Sequence, residues 1–244
     1  MRPLRALAAL LLMAAPVSAQ PGDDAAAARL SARFEAEPST PANRTGVIPF
    51  EGGALLYVPK SYRPDRPTPL LIMLHGANGN PERALAIVRR QAAKLGFLVL
   101  APKSRGATWD VIARRAYGPD VAALDALLVR VAGAYRVDPA RVALGGFSDG
   151  ASYALSLGLS NGALFSDVIA FSAGFMAPKR IEGRPRIFLS HGTADLILPV
   201  EPCGRHIAAQ LREAGFELRY TEFGGGHEVP EGIADEALAR FAAG

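Results

Sequence analysis

The stretch VALGGFSDGASYALSLG, residues 142–158, decides the fold. It runs from an apolar, strand-like segment through Gly145 and Gly146 to Ser148, flanked by Phe147 and Asp149, and continues into residues spaced as on a helix. A parallel strand that turns at once into a helix presents whatever stands at the turn at the carboxyl edge of the sheet, where ligands gather. Gly146 and Gly150 remove the side chains that would block so tight a turn, and the following helix aims backbone N–H groups and the positive end of its dipole at the same place. Ser148 is therefore a candidate nucleophile.

The surrounding chain alternates in the way such a sheet requires. ALLYVPKSY (54–62) reads as a strand with a proline exit, and PLLIMLHG (69–76) and FLVLAP (97–102) read as strands buried on both faces. PERALAIVRRQAAKLG (81–96) has proline at a helix start, apolar residues at helical spacing and glycine at its end. Further on the spacing predicts helices over 119–134, 150–159, 200–214 and 232–242, and strands over 142–145, 167–171, 186–190 and 217–223. Strands separated by helices predict an α/β fold, a mostly parallel central sheet with helices on both faces.

A serine hydroxyl attacks only when a base takes its proton, and the base needs a carboxylate to fix its tautomer. On this fold the partners follow in the order Ser, Asp, His, from loops after later strands. IFLSHGTADLILP (187–199) places Asp195 after the next-to-last strand, and YTEFGGGHEVP (220–230) places His227 after the last. Asp195 is preferred over Glu222 and over Asp167, which begins a strand and so lies at the wrong edge. His206 falls in mid-helix, and His191 and His75 read as residues that shape their loops. HGANGN (75–80) follows the first long buried strand, and the backbone N–H groups of Ala77 and Asp149 are the candidate oxyanion donors. The Asp149 carboxylate opposes negative charge there unless it turns away.

Composition bounds the rest. Half of the 244 residues are hydrophobic, which suits one well-buried core. Residues 1–19 carry Arg2 and Arg5, an apolar run from Ala6 to Ala15, and the small residues Val17-Ser18-Ala19. They read as a signal peptide cleaved after Ala19, and the apolar run is shorter than the roughly 20 residues that span a bilayer. The expectation is a secreted or periplasmic protein with no stable membrane insertion. Removing the signal leaves 25 basic against 23 acidic residues, a net charge near +2, scattered along the chain, so no nucleic acid partner is implied. Residues 20–45, rich in Ala, Pro and small polar residues, read as a flexible leader with at most a short helix around 25–34, and 46–244 as the catalytic domain. Cys203 is the sole cysteine, so no internal disulfide forms. Four dispersed histidines lack metal-ligand spacing, so neither metal nor cofactor is expected.

Together HGANGN, APKSRGATWD, GGFSDGASYALSLG, HGTADLILP and GGGHEVP resemble the α/β-hydrolase superfamily over about residues 45–243. Within it the chain looks like the small serine esterases of the phospholipase/carboxylesterase and acyl-protein thioesterase-like group, near polyhydroxybutyrate depolymerase-like esterases. The resemblance implies Ser148 as nucleophile, Asp195 and His227 as its partners, Ala77 and Asp149 as oxyanion donors, and carboxylic esters as substrates. This chain departs from many relatives in having Gly150-Ala151 where they carry two glycines. A serine peptidase on the same fold and a non-catalytic binding module are the other readings. Only SAGFMAPKRIEGRP (172–185) separates the strand after the nucleophile helix from the next strand, too short for a large lid. Phe175 and Met176 line a small acyl pocket or simply pack, and Trp109 stands at the site rim or beneath it.

Overall fold

The computed structural model describes residues 26–34 and 37–244; the candidate signal peptide and residues 20–25, 35 and 36 of the leader lie outside the described residues. In chain order the elements are β1 (Gly46–Pro49), β2 (Leu55–Val58), β3 (Thr68–Leu74), α1 (Pro81–Leu95), β4 (Leu98–Ala101), α2 (Asp110–Arg114) and α3 (Pro119–Ala134). They continue as β5 (Val137–Phe147), α4 (Asp149–Ser160), β6 (Asp167–Phe171), β7 (Arg186–Gly192), α5 (His206–Glu213), β8 (Leu218–Phe223) and α6 (Glu231–Ala243). The strands form one sheet in the order β1-β2-β4-β3-β5-β6-β7-β8. β1 and β2 pair antiparallel, β2 joins β4 antiparallel, and every other pairing is parallel.

Two apolar layers cover the sheet. On one face α3, α4 and α5 bury Leu124, Leu128, Leu155, Leu159 and Leu211 against Leu70, Ile72 and Leu144. On the other, α1 and α6 bury Val88, Leu238 and Phe241 against Leu71, Met73 and Val99. Successive residues of β3 point to opposite faces, so a strand covered on both sides must be apolar throughout, as Leu70 to Leu74 is. Helix α1 shows how local chemistry sets an element's ends. Asn80 caps it by accepting from the Arg83 N–H at 2.9 Å, Pro81 supplies the fixed φ of the first turn, and Gly96 closes it at φ 79°.

Three features depart from the sequence reading. β5 runs over eleven residues rather than over 142–145, because Val137 to Arg141 continue the strand past a register shift opposite Thr68 to Leu70. β1 and α2 were not expected. The described part of the leader is ordered rather than flexible. Ala28, Leu30, Ala32 and Phe34 alternate into the core, and side chains replace a neighbouring strand. Asn161 accepts from the Leu30 N–H and donates to the Ala28 carbonyl, while Asp125 accepts from the N–H groups of Ser31 and Ala32. Burying Leu30 and Phe34 contributes about 1.5–3 kcal/mol each toward ordering the segment.

The segment 172–185 is laid along α4 by a ladder of serines. Ser152, Ser156 and Ser160 each donate to the carbonyl four residues earlier, and their hydroxyls accept from the N–H groups of Gly174, Ala177 and Lys179 at 2.9, 2.9 and 3.1 Å. The Tyr117 hydroxyl adds a bond to the Ala177 carbonyl. The segment thus forms a fixed wall beside the carboxyl edge of the sheet. Among the described residues no helix is long and apolar enough to cross a membrane.

Candidate active site

Ser148 stands between β5 and α4 at φ 58° and ψ −121°, a conformation costing a non-glycine residue on the order of 1–3 kcal/mol. The surrounding backbone enforces it. A Cβ on Gly146 would lie 2.3 Å from the Gly150 carbonyl, and one on Gly150 would lie 2.4 Å from the Leu74 carbonyl oxygen, so only glycines let β5, α4 and β3 approach this closely. The Ser148 N–H donates to the Phe171 carbonyl at 2.9 Å, tying the turn to the end of β6.

The structure brings Ser148, His227 and Asp195 into one hydrogen-bonded chain. His227 Nε2 lies 2.8 Å from Ser148 Oγ, and His227 Nδ1 lies 2.7 Å from Asp195 Oδ2. The other Asp195 oxygen accepts from the N–H groups of Ile197 and Leu198 at 2.9 and 2.8 Å. Burial by itself raises the Asp195 carboxyl, but these two N–H groups and the His227 ring together outweigh it and hold the group below the ordinary carboxylate value. An ionised Asp195 requires a proton on Nδ1 of His227, which leaves Nε2 free to accept from the serine hydroxyl. The Phe147 ring packs 4.8 Å from the His227 ring.

Neither alternative acid is bonded to His227. Glu222 pairs with Arg205 and accepts from the Tyr220 hydroxyl, and Asp167 pairs with Arg186 at the opposite edge of the sheet. His206 is exposed on α5. His191 is buried, with Nε2 2.6 Å from the Leu198 carbonyl and 3.5 Å from Asp195, so it braces the loop that carries the acid. Cys203 is buried close by, and burial pushes its thiol above the ordinary value.

The loop after β3 reaches the serine from the other side. A Cβ on Gly76 would sit 3.2 Å from Ser148 Cβ, which measures how near this loop passes. The N–H groups of Ala77 and Asp149 donate no hydrogen bond among the described residues. The Asp149 carboxylate accepts from the Thr108 hydroxyl at 2.5 Å, which fixes it on the 103–110 loop. His75 is buried, and its ring makes no hydrogen bond to Ser148. Its Nδ1 lies 2.8 Å from the Gly76 carbonyl, its Nε2 accepts from the Ser104 N–H at 3.1 Å, and burial pushes its imidazole below the ordinary value.

Trp109 lies beneath the site. It is 1% exposed, its indole N–H donates to the His75 carbonyl at 2.8 Å, and its ring stacks on Tyr153 at 5.3 Å. The Asn78 N–H bonds the Ala107 carbonyl at 2.7 Å, so Ala77 is held between two anchors on the 103–110 loop. That loop is clasped by two buried carboxylates. Asp120 accepts from the N–H groups of Arg105 and Asp110, and Asp110 accepts from those of Gly118 and Asp120. Sequence reasoning missed Thr108, Asp110, Asp120 and the serine ladder. The ladder alone left a signal, its four-residue spacing after Ser148.

Two cavities lie near the carboxyl edge of the sheet. One, of about 260 Å³, lies toward α1 and is lined by Gly76, Ala77, Arg83, Ile87 and Phe147 among others. The other, of about 350 Å³, lies between α2 and the pinned segment and is lined by Val111, Ile112, Arg115, Phe175, Ala177 and Lys179. Met176 instead packs against the core. Among the described residues no group of three His, Cys, Asp or Glu side chains is placed to hold a metal ion.

Comparison with known proteins agrees with this architecture. Residues 122–231 match the phospholipase/carboxylesterase family model. The fold is the α/β-hydrolase fold. The chain is similar to esterase PE8 at 22% identity and a TM-score of 0.64, covering 82% of this chain and 99% of that one. It is similar to an S-formylglutathione hydrolase from Agrobacterium tumefaciens at 17% identity and a TM-score of 0.61, covering 81% and 93%. It is similar to the Bacillus cereus carboxylesterase at 18% identity and a TM-score of 0.60, covering 78% and 93%. No curated protein matches it significantly.

Proposed function

We propose that this chain, a serine hydrolase acting on carboxylic esters, attacks them with Ser148, uses His227 as base and then acid, and relies on Asp195 to orient His227. The observation that carries the reading is the unbroken chain of bonds from Ser148 Oγ through both nitrogens of His227 to Asp195. In the first half-reaction Ser148 Oγ forms a bond to the ester carbonyl carbon as its proton passes to His227 Nε2. The carbonyl oxygen becomes an oxyanion that accepts from the Ala77 and Asp149 N–H groups. Collapse breaks the bond to the leaving oxygen, which takes the proton from His227, and Ser148 holds the acyl group. Water, deprotonated by His227 in turn, then releases the acid.

Substrates are small esters with short to medium acyl groups taken directly from water. The reading is supported by the serine ladder, which ties segment 172–185 to α4 by backbone N–H groups and leaves little free chain to close over the site. Each extra buried CH₂ stabilises the transition state by up to about 0.8 kcal/mol, roughly fourfold in kcat/KM, until the cavity is full, with a plateau near C4 to C8. Residues 1–19 direct the chain to the periplasm or the medium and are removed after Ala19.

Labelling with a fluorophosphonate probe tests the assignment. Wild type is labelled at Ser148, and Ser148→Ala neither reacts nor hydrolyses p-nitrophenyl esters; labelling at another residue overturns it. A rate that jumps on crossing into micelles, with C16 esters preferred, overturns the directly accessible site.

A further inference from the structure

Both walls of the 350 Å³ cavity continue segments bonded to residues that neighbour the candidate site. Val111, Ile112 and Arg115 follow Trp109, which carries the His75 carbonyl. Phe175 and Ala177 follow Gly174, whose N–H is held by Ser152, one helical turn beyond Ser148. A Cβ on Gly174 would also touch Leu198, whose own N–H is bonded to Asp195. The cavity thus lies beside the segments packed around Ser148 and Asp195, on the face away from α1.

The leaving oxygen must lie within reach of His227. Phe147, which packs on the His227 ring, lines the cavity on the α1 face, so that side receives the leaving group. The acyl group is left with the cavity between α2 and segment 172–185. Its walls are apolar at Val111, Ile112, Phe175 and Ala177, its charged lining residues are the cations Arg115 and Lys179, and no carboxylate lines it. Arg115 ends α2 at φ 56°, a left-handed conformation uncommon outside glycine and asparagine, and makes no ion pair among the described residues. A neutral acyl chain uses the walls and leaves the guanidinium without a partner.

We propose that this cavity selects acyl groups that end in an anion, so that the preferred esters are monoesters of short dicarboxylic acids with the free carboxylate on Arg115. The inference rests on the ester-hydrolase reading and adds the substrate class. A guanidinium takes a carboxylate through two parallel N–H bonds, which favours a planar anion at the end of a chain long enough to span the apolar walls.

The test compares p-nitrophenyl hydrogen adipate with p-nitrophenyl hexanoate, two esters of equal chain length that differ in the terminal carboxylate, with Ser148→Ala as the background for both. In wild type kcat/KM for the adipate is about tenfold above that for the hexanoate at low salt, and the ratio shrinks as salt is added. In Arg115→Gln the ratio falls to about one, and in Arg115→Glu it drops below one. A wild-type ratio of one or less, or a ratio that Arg115→Gln leaves unchanged, overturns the inference while leaving ester hydrolysis standing. Turnover of both esters at the Ser148→Ala background overturns the hydrolase reading and the inference with it.

Discussion

The two sides of the candidate site are held by different means. Ser148 and the Ala77 loop are fixed by backbone packing: strained φ, glycines at van der Waals limits, and the Trp109 brace under His75. On the His227 side the loop also passes close to Gly192, but the ring itself is aimed by side-chain bonds. Gly224, Gly225 and Gly226 lead into the histidine, the Ala194 N–H bonds the Gly225 carbonyl at 2.9 Å, and Asp195 supplies the bond that aims the ring. Beside Asp195, Leu196 and Ile197 are 91% and 70% exposed. The difference teaches that the position of Ser148 is a property of the folded backbone, whereas the orientation of the His227 ring depends on the Asp195 carboxylate. Damage to the first side lowers stability and rate together; damage to the second lowers chiefly the rate.

The largest effect is expected on the base side. Asp195→Asn keeps the fold, by circular dichroism and melting, yet lowers kcat by about 10⁴-fold, because an amide in place of the carboxylate favours the wrong imidazole tautomer. A nearly wild-type Asp195→Asn with an inactive Glu222→Gln transfers the role to Glu222. Asp195 also predicts a stability difference with pH. Its folded carboxyl lies below the ordinary value, so its contribution is fully present above the unfolded pKa of about 3.9 and is lost as pH falls through the folded one. In urea melts wild type therefore loses stability relative to Asp195→Asn below about pH 4, and parallel pH curves refute this.

Gly150→Ala breaks the backbone-held side. Its methyl group meets the Leu74 and His75 carbonyls, rigid atoms that cannot give way, so stability falls by about 1–3 kcal/mol and kcat/KM by about 100-fold together. Loss of rate without loss of stability contradicts the comparison. Trp109→Phe is smaller and sharper. The ring still stacks on Tyr153 but the bond to the His75 carbonyl is gone, so the Ala77 N–H drifts, and kcat drops about tenfold while KM hardly moves. A change confined to KM shows that Trp109 serves binding instead.

The smallest effect is expected at Gly226. A Cβ there meets nothing nearer than 4.0 Å, so Gly226→Ala shifts stability by less than about 0.5 kcal/mol and leaves turnover near wild type. A loss as large as that of Gly150→Ala erases the distinction between the two sides.

What the sequence determined by itself was whatever local rules control. Apolar runs and helical spacing announced the alternating strands and helices, and Gly146, Ser148 and Gly150 announced the sharp turn. The chain order of Ser148, Asp195 and His227 selected these three as candidates, because each follows a strand whose carboxyl end is legible from its own residues. Tertiary structure decided everything that depends on partners far apart in the chain. Asn161 and Asp125 turn residues 28–34 from an expected flexible leader into a packed strap, although the alternating Ala, Leu, Ala and Phe are equally compatible with a free end. Asp110 and Asp120 clasp each other's backbone across a loop, and Thr108 takes the Asp149 carboxylate. Trp109 was placed beneath the site only when Tyr153 and the His75 carbonyl came together around it. Periodicity and turn chemistry act over a few neighbouring residues, whereas a buried hydrogen bond requires a donor and an acceptor that only the closed sheet brings within 3 Å of each other.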